Sequence, residues 1–363
     1  MKKLRIAVLF GGRSAEHQIS LLSAKNVIAS MDRDLFEPIL IGIDKAGVWH
    51  YNEGSLKLLN DNDPKKIAMG SKGETALLSH NGDDHRLVSS STAGTLSEID
   101  VIYPVLHGTY GEDGSVQGLA KLANLPCVGC GILGSAIGMD KDIMKKILRD
   151  GGIGVADFFT FRKGSSKNPS YSEVVARLGN ELFIKPANLG SSVGVSFVSN
   201  EEEFHKAIAV GFSYDRKVIV EEKVTGREIE VAVLGNDDAI ASVPGEILPK
   251  SSWYSFENKY VDEDGAALAI PADLDEASTQ RMMKVALETY HLLELSGMTR
   301  VDFFLKADGS LIVNEVNTLP GFTSISMYPK LWEYSGIPQK ELITKLIHFA
   351  IERYEQEAEL KHV

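Results

Sequence analysis

The sequence predicts an α/β protein whose first lobe is an open parallel sheet and whose later lobes are α+β. The chain has 363 residues, which is too many for one ordinary hydrophobic core and indicates two or three lobes. Short, continuous apolar runs such as residues 4–10 alternate with helical patterns before about residue 130. Beyond that point the alternation stops, and longer strands and a hairpin follow.

In the first lobe, residues 4–10, 39–43 and 99–106 are predicted to be buried strands, because they are short and continuously apolar. Ser14 is a candidate N-cap for the helix after the first strand. The intervening residues 52–98 are polar and rich in glycine and serine, and we expect a partly ordered insertion there. Parallel strands of this kind place ligand sites at their carboxyl ends.

The later part of the chain is expected to form two further units. A helix is predicted from Met139 to Arg149, where Gly151 and Gly152 end it. Another helix is predicted near residues 275–295, before the hairpin. The predicted domains are residues 1–130, 131–224 and 225–363.

Composition argues against several classes of protein. Hydrophobic residues make up 44% and charged residues 24%, as in ordinary globular proteins. The net charge is −12 and no basic stripe is visible, so no nucleic-acid partner is expected. The apolar run from Ile6 to Phe10 is too short for a secretion signal, and no stretch of about 18 apolar residues predicts a membrane span. We therefore expect a cytoplasmic protein without a membrane partner.

Cys127 and Cys130 form a C-x-x-C pair, which raises the question of a redox or zinc site. A zinc site needs four ligands, and the sequence has no second cysteine pair. A redox pair would open a helix after a strand near the start of a small domain, which this segment does not predict. We expect two inert, partly buried thiols in a reducing cytosol.

Residues 129–134 match the G-x-G-x-x-G pattern of dinucleotide sites. Such a site needs an acidic residue about 20 positions later, at the end of a second strand. Asp150 has that spacing but follows a predicted helix, and the match lies outside the first βαβ unit. The sequence therefore gives little support to an NAD site.

The predicted hairpin carries the most informative side chains, with its turn at residues 308–309. Strand alternation places Arg300 and Asp302 on one face, and Glu315 and Asn317 on one face of the returning strand. Mg²⁺ prefers oxygen ligands and usually binds through one or two carboxylates plus substrate phosphates. The hairpin is thus a candidate metal site, and a solvated face with a surface ion pair is the alternative.

Lys185 ends a predicted strand and precedes a loop rich in glycine and serine, residues 186–194. Backbone N–H groups and hydroxyls in such a loop can wrap phosphate oxygens. It is not a Walker A loop, because no G-K-[ST] follows. A flexible hairpin loop without a ligand is the alternative.

Two more segments lie at the carboxyl ends of predicted strands. Glu16 falls in a first helical turn, where a carboxylate either interacts with the helix dipole or holds a substrate ammonium group. His107 and Glu112 follow the strand at 99–106 in a glycine-rich loop and can point into a cleft. A purely structural loop is the alternative.

Taken in order along nearly the whole chain, these and neighbouring segments resemble the D-alanine–D-alanine ligase family. The matching stretches are GGRSAEHQIS, HGTYGEDG, MDKD, FIKPANLGSSVG, GREIEVAVLGN, ENKY, RVDFFL and NEVNTLPGFTSISMYP. The resemblance implies a three-lobed ATP-grasp fold, with ATP held between the second and third lobes. It also implies an enzyme that joins two D-alanines through an acyl-phosphate for peptidoglycan synthesis.

The same resemblance implies roles on the nucleotide side. Asp302, Glu315 and Asn317 would hold two Mg²⁺ ions, for which Mn²⁺ is an alternative, and K⁺ is a candidate activator. The residues implied to contact ATP are Lys141, Lys185, Ser192, Glu221, Val224, Glu228 and Lys259.

On the amino-acid side, the resemblance implies that Glu16 holds the first ammonium group, and that Ser191 and Tyr260 bond with it and close the site. Arg300 and Gly321 would face the acyl-phosphate and the later oxyanion. The other residues implied at the amino-acid sites are His107, Glu112, Ser326 and Met327. A homodimer is implied in the same way.

Two alternatives stand beside this interpretation. Another carboxylate–amine ligase of the same fold would share the hairpin and the Gly/Ser loop, but not GGRSAEH and HGTYGEDG, which build the amino-acid pocket. A non-catalytic nucleotide-binding regulator would not need Arg300, Glu16 and Tyr260 alongside the metal ligands. Within the resembling group, the ENKY segment favours an amine over D-lactate as the second substrate.

Overall fold

Three sheets, each made from a successive part of the chain, organise the protein. The computed structural model describes residues 2–51, 74–79, 84–249 and 266–361. The described strands are β1 (Leu4–Gly11), β2 (Phe36–Ile43), β3 (Trp49–Tyr51), β4 (Glu74–Leu78), β5 (Arg86–Ser89), β6 (Thr95–Glu98), β7 (Val101–Val105), β8 (Phe158–Arg162), β9 (Leu182–Pro186), β10 (Ser196–Val198), β11 (Lys217–Glu222), β12 (Arg227–Gly235), β13 (Ile240–Ala241), β14 (Gly245–Pro249), β15 (Ala266–Ala269), β16 (Gly297–Leu305) and β17 (Leu311–Asn317). The described helices are α1 (His17–Ser30), α2 (Ser115–Leu122), α3 (Ile132–Met139), α4 (Lys141–Asp150), α5 (Tyr171–Leu178), α6 (Glu201–Tyr214), α7 (Glu276–Leu292), α8 (Met327–Tyr334) and α9 (Gln339–Ala358).

The first sheet has the order β6-β5-β4-β3-β2-β1-β7. Its centre, β2-β1-β7, is parallel as predicted, whereas β3 to β6 add antiparallel strands at one edge. The insertion that was predicted to be partly ordered therefore has ordered strands among its described residues between 74 and 98. Ala76, Leu78 and Leu87 are buried there in the lobe's core, because apolar side chains alternate within these short strands.

Helix α1 begins at His17, and the prediction of Ser14 as its N-cap is wrong. The Ser14 hydroxyl accepts a hydrogen bond from the backbone N–H of Glu16 at 3.0 Å, a local turn that competes with capping. Glu16 takes the N-cap position instead. Its side chain is thereby held at the carboxyl end of β1.

The second sheet is antiparallel, in the order β10-β9-β11-β8, and the third has the order β15-β14-β12-β16-β17 with β13 paired to β12. The predicted hairpin is confirmed as β16 and β17, with Gly309 at a φ of 81° in its turn. The helix predicted at 139–149 is α4, and the preceding α3 was not predicted. Asp140 separates the two helices and caps α4 by accepting from the N–H groups of Asp142 and Ile143.

One apolar core joins the first and third sheets. Val8 and Tyr103 of the first sheet share it with Tyr328 and Trp332 of α8 and Leu346 of α9. Burying each of these large side chains stabilises the fold by roughly 1.5–3 kcal/mol. The core therefore fixes the carboxyl ends of β1 and β7 beside the segment that follows β17.

The glycines of residues 129–134 serve close packing between these lobes. A Cβ at Gly134 would lie 2.5 Å from the Glu294 carbonyl oxygen, and one at Gly297 would lie 3.2 Å from Gly129 Cα. Cys127 and Cys130 are buried, free thiols, as predicted. Burial raises the pKa of Cys127 to about 12 and that of Cys130 to about 11, so both remain protonated and unreactive. In the described part of the chain, every helix is too short or too polar to cross a bilayer.

Candidate active site

A cavity of about 320 Å³ lies where the first sheet, the Gly/Ser loop and the third sheet meet. Its lining includes predicted site residues from segments far apart in the sequence. These are Glu16, Glu112, Lys141, Ser191, Arg300, Glu315, Asn317, Gly321, Ser326 and Met327. The fold thus brings together residues that were predicted from separate motifs.

The Gly/Ser loop reaches the cavity through Ser191. Its hydroxyl donates a hydrogen bond to the buried carboxylate of Glu16. Ser191 and Ser192 have φ angles of 52° and 59°, in the left-handed region that residues with a Cβ rarely adopt. Such a conformation persists only where its surroundings hold it, and it is common in ligand clamps.

Lys141 connects this loop to the hairpin. Its ammonium group donates to the Leu189 carbonyl oxygen at 2.8 Å and lies 3.2 Å from Glu315 Oε2. As the first residue of α4, it is placed by the Asp140 cap described above. Because Lys141 contacts both the Gly/Ser loop and the hairpin, an anion that binds to it would affect both segments.

The hairpin gathers two carboxylates, an amide and a guanidinium. The strand register sets Asp302 opposite Glu315 and Arg300 opposite Asn317. Arg300 donates from Nε and Nη2 to the two oxygens of Asp302, each at 2.7 Å. Asn317 Nδ2 donates to Asp302 Oδ2 at 3.0 Å. The shared face predicted from strand alternation is confirmed.

Glu230 is a cavity residue that the sequence analysis missed. It is 5% exposed, and its Oε2 lies 3.0 Å from Arg300 Nε. The signal was present in GREIEVAVLGN, where Glu228 and Glu230 alternate with buried apolar residues on β12. Lys330, Thr323 and Ile325 also line the cavity without having been predicted.

On the nucleotide side, Glu221 bridges two ammonium groups. Lys145 Nζ lies 2.9 Å from its Oε1, and Lys185 Nζ lies 2.7 Å from its Oε2. Burial opposes the ionisation of Glu221, but the two cations outweigh it and lower its pKa to about 2. Burial lowers the pKa of Lys145, because Glu221 offsets only part of its desolvation. Lys145 was not predicted, although it follows Lys141 at the i+4 spacing that shares a helix face.

A break in the hairpin register brings a further group to Lys185. The pairing shifts between Asp302 and Phe303, which leaves Asn314 as the extra residue of β17. Lys185 Nζ donates to Asn314 Oδ1 at 3.3 Å. Strand alternation alone could not predict this contact.

His107 is buried and both of its ring nitrogens are bonded within the protein. Nδ1–H donates to the Leu319 carbonyl oxygen at 2.9 Å, and Nε2 accepts from the Ser23 hydroxyl at 2.9 Å. Ser23 Oγ in turn accepts from the N–H of Phe322 at 3.2 Å. Burial lowers the pKa of His107, which favours the neutral ring that this chain requires. The structure places His107 behind the segment that carries Gly321, outside the cavity lining.

Glu112 does line the cavity. Its carboxyl group accepts from the N–H of Gly108 at 2.8 Å and from that of Leu319 at 3.3 Å. Burial, and then the negative charge of Glu16, raise its pKa to about 8. Glu112 is therefore mostly protonated at neutral pH.

The remaining predicted residues lie either outside the cavity lining or outside the described residues. Val224 and Glu228 are half-buried at the end of β11 and the start of β12. Ser192 lies in the loop but does not line the cavity. Lys259 and Tyr260 lie outside the described residues. Glu222, next to Glu221, accepts a hydrogen bond from the N–H of Asp157 at 2.8 Å.

Comparisons with known proteins cover nearly the whole chain. Family models described as D-ala D-ala ligase N-terminus and C-terminus match residues 5–130 and 147–348. The D-alanine–D-alanine ligase of Shouchella clausii is 51% identical over 361 residues, covering 99% of this chain and 98% of that protein.

Solved structures agree with this. The VanG D-Ala:D-Ser ligase of Enterococcus faecalis has a TM-score of 0.86 at 35% identity and covers 96% of this chain and 100% of its own. The D-alanine–D-alanine ligase of Bacillus anthracis complexed with ATP has a TM-score of 0.72 at 27% identity, with 98% and 99% covered. The predicted fold class is confirmed, while the exact domain boundaries stay a prediction.

Proposed function

The chain belongs to the D-alanine–D-alanine ligase family, and we propose that its cavity joins two D-alanines at the expense of ATP. The products are D-alanyl-D-alanine, ADP and phosphate, and the dipeptide serves peptidoglycan synthesis. The observation that carries the proposal is that Glu16, Arg300 and Glu315 line the same cavity. Neither a nucleotide-binding regulator nor an NAD enzyme explains that combination.

The first step activates a carboxylate. The carboxylate oxygen of the first D-alanine attacks the γ-phosphorus of ATP, and ADP leaves, so that an acyl-phosphate forms. In-line transfer requires alignment and charge neutralisation more than covalent help from the protein. Glu16 holds the ammonium group of the first D-alanine, and Ser191 keeps the Glu16 carboxylate in place.

ATP is proposed to lie along the cluster of Lys185 and Glu221. The ATP complex of the Bacillus anthracis ligase supports a nucleotide site in this fold. Lys185 and Lys141 bind phosphate oxygens, and Ser192 belongs to the loop that covers them. The residues proposed to border the adenine and ribose are Glu221, Val224 and Glu228.

The hairpin suits a magnesium ion. Asp302 and Glu315 are direct cross-strand neighbours with Asn317 beside them, a donor set of oxygens that Mg²⁺ prefers. No group of three or more acidic, histidine or cysteine side chains within the described residues forms a complete metal site, so phosphate oxygens would supply the other ligands. When bound, Mg²⁺ neutralises phosphate charge; two ions are proposed, with Mn²⁺ as a substitute and K⁺ as an activator.

The second step forms the amide bond. The amine of the second D-alanine attacks the carbonyl carbon of the acyl-phosphate, and phosphate leaves with the electron pair of the broken C–O bond. The nitrogen loses one proton to the departing phosphate or to solvent as the amide forms. Arg300 and the backbone N–H of Gly321 stabilise the oxyanion, and loss of one such donor costs roughly 10²–10³ in rate. Ser326 and Met327, at the start of α8, receive the second substrate.

The other predicted residues are proposed to have supporting roles. Glu112, which is mostly protonated, adds no repulsion beside the substrate carboxylate. His107 is proposed to position the segment around Gly321 through Leu319 and Ser23. Tyr260 is proposed to help close the site, because water would hydrolyse the acyl-phosphate, and Lys259 is proposed to contact ATP.

A cytoplasmic homodimer is proposed from the family alone. The substrates, D-alanine and ATP, are soluble small molecules, and the net charge of −12 gives no support to a nucleic-acid partner. Sedimentation of the purified protein would measure the oligomeric state directly.

The test is ATP-dependent phosphate release with Mg²⁺, followed by mass analysis of the products. The arms are D-alanine, L-alanine, D-alanine with D-lactate, D-alanine with D-serine, and no amino acid. We expect phosphate and D-alanyl-D-alanine whenever D-alanine is present. Turnover only with another acid–amine pair would overturn the substrate, and ATP binding without any turnover would favour a regulator.

A further inference from the structure

Three carboxylates stand in one row across the third sheet. The β12–β16 register sets Glu230 opposite Asp302, and the β16–β17 register sets Asp302 opposite Glu315. Like charges directly opposite one another destabilise a sheet. This row of carboxylates therefore destabilises the sheet unless nearby cations offset its charge. Such a row is retained where the function of the site requires it.

Among the described residues, two cations lie beside this row, and one of them is shared by two of its carboxylates. Lys141 lies beside Glu315, as described above, while Arg300 serves both Asp302 and Glu230. The Nε of Arg300 is 2.7 Å from Asp302 Oδ1 and 3.0 Å from Glu230 Oε2. Two carboxylates thus lie against the same edge of one guanidinium group.

The shared position of Arg300 matters if Asp302 binds a metal ion. That premise rests on the proposed function. A metal ion would use the same oxygen lone pairs that Arg300 now occupies, and its charge would repel the guanidinium. Among the described residues, Glu230 is the other carboxylate beside Arg300 that could then hold it in the cavity. We propose that Glu230 is a positioning residue that retains Arg300 beside the reacting phosphate while Asp302 holds the metal.

The surroundings of Glu230 fit this role better than that of a structural ion pair. Arg227 and Glu246, on neighbouring strands of the same sheet, form a bidentate ion pair with hydrogen bonds of 2.8 and 2.6 Å. That pair does not line the cavity, whereas Glu230 and Arg300 both do. Glu246 is also buried, so it supplies a matched control for the loss of a buried acid beside an arginine.

The test measures Mn²⁺ binding to the protein saturated with ADP, by water-proton relaxation enhancement, which requires no turnover. The variants are E230Q, R300M, the double variant and the control E246Q. In E230Q, Arg300 competes for Asp302, so we expect Mn²⁺ to bind about tenfold more weakly. In the R300M background the competitor is gone, and E230Q should change binding less than about threefold.

The outcomes separate the inference from the function beneath it. Equal weakening by E230Q in both backgrounds would mean that Glu230 acts directly on the metal, and would overturn the positioning role. Absence of Mn²⁺ binding in the unsubstituted protein would instead overturn the proposed metal site. Unchanged Mn²⁺ binding in E230Q would mean that Arg300 does not compete with the metal ion for Asp302, and would overturn the proposal.

Steady-state kinetics give a second readout. We expect E230Q to lower kcat by about tenfold or more with smaller changes in KM for ATP and D-alanine, because Arg300 acts in the transition state. E246Q should keep both parameters, since its pair lies outside the cavity. A rise in KM alone for E230Q, with kcat retained, would contradict the proposal.

Discussion

Glu112, which is half-buried at the cavity, and Glu221, which is buried in the cluster with Lys145 and Lys185, have pKa values that move in opposite directions. Burial opposes the charged form of each. Glu112 has the carboxylate of Glu16 as its charged neighbour, and its pKa rises to about 8. Glu221 lies between Lys145 and Lys185, and its pKa falls to about 2. Neighbouring charge, and not burial alone, decides the protonation state.

The difference matches the chemistry proposed for the two ends of the cleft. On the amino-acid side, a neutral Glu112 avoids repelling an anionic acyl-phosphate. On the nucleotide side, an ionised Glu221 keeps two lysines charged and orients Lys185. The same residue type therefore lowers negative charge at one end and organises positive charge at the other.

The variant E221Q should have the strongest effect, because it removes the negative charge between Lys145 and Lys185. Two ammonium groups would remain without their shared carboxylate, and removing one partner of a buried ion pair costs about 3–5 kcal/mol. We expect that loss in urea unfolding at pH 7. Adding K145M to E221Q should recover part of it, because a buried cation is then removed.

The control for this variant is E202Q, which removes an exposed carboxylate paired with Lys206. Exposed pairs contribute little, so its stability should change by less than about 1 kcal/mol. If E221Q were as stable as E202Q, the two lysines would not depend on Glu221 for their charge.

E112Q tests the neutral end through the pH dependence of stability. The folded pKa of Glu112 is raised from its ordinary 4.5 to about 8, so the native state holds a proton that the unfolded chain has lost between these values. Wild-type stability should therefore fall as pH rises through this window. E112Q lacks the titrating group, so its stability relative to wild type should rise by on the order of 4 kcal/mol between pH 4.5 and pH 8.

This prediction is checked by urea unfolding at several pH values between 4.5 and 9. The change relative to wild type should be smallest at the acid end of this range, where folded Glu112 is neutral and the unfolded side chain is only half ionised. A constant difference across the range would show that Glu112 does not titrate as its surroundings require.

The parts of this cleft that the sequence predicted are those set by local pattern. Strand alternation placed Arg300 with Asp302, and the Asp308–Gly309 turn fixed the hairpin. The strand–glycine–helix connection placed Glu16 at the carboxyl end of β1, although the helix cap itself was wrong. Each of these depends only on residues within one segment.

The parts that were missed depend on contacts between segments. Lys145 and Glu230 are charged residues that pattern alone would assign to a solvated face, and only tertiary packing buries them. The register shift that frees Asn314 arises from pairing of β16 with β17, which no single strand specifies. The strands within residues 74–98 were hidden by their polar composition, because their burial relies on the neighbouring sheet.

The variant E16Q should have a weaker effect than the other two, because it removes only the like charge beside Glu112. Without that charge, only burial raises the pKa of Glu112, which should fall by roughly half a unit to one unit. The measurement is a ¹³C-carboxyl NMR titration of glutamate-labelled protein, with the Glu112 signal assigned through its loss in E112Q. S191A is the matched control, since it removes the hydrogen-bond donor to Glu16 but keeps both carboxyl groups. An unchanged Glu112 titration in E16Q would mean that burial alone sets its proton, and the contrast with Glu221 would then rest on the two lysines only.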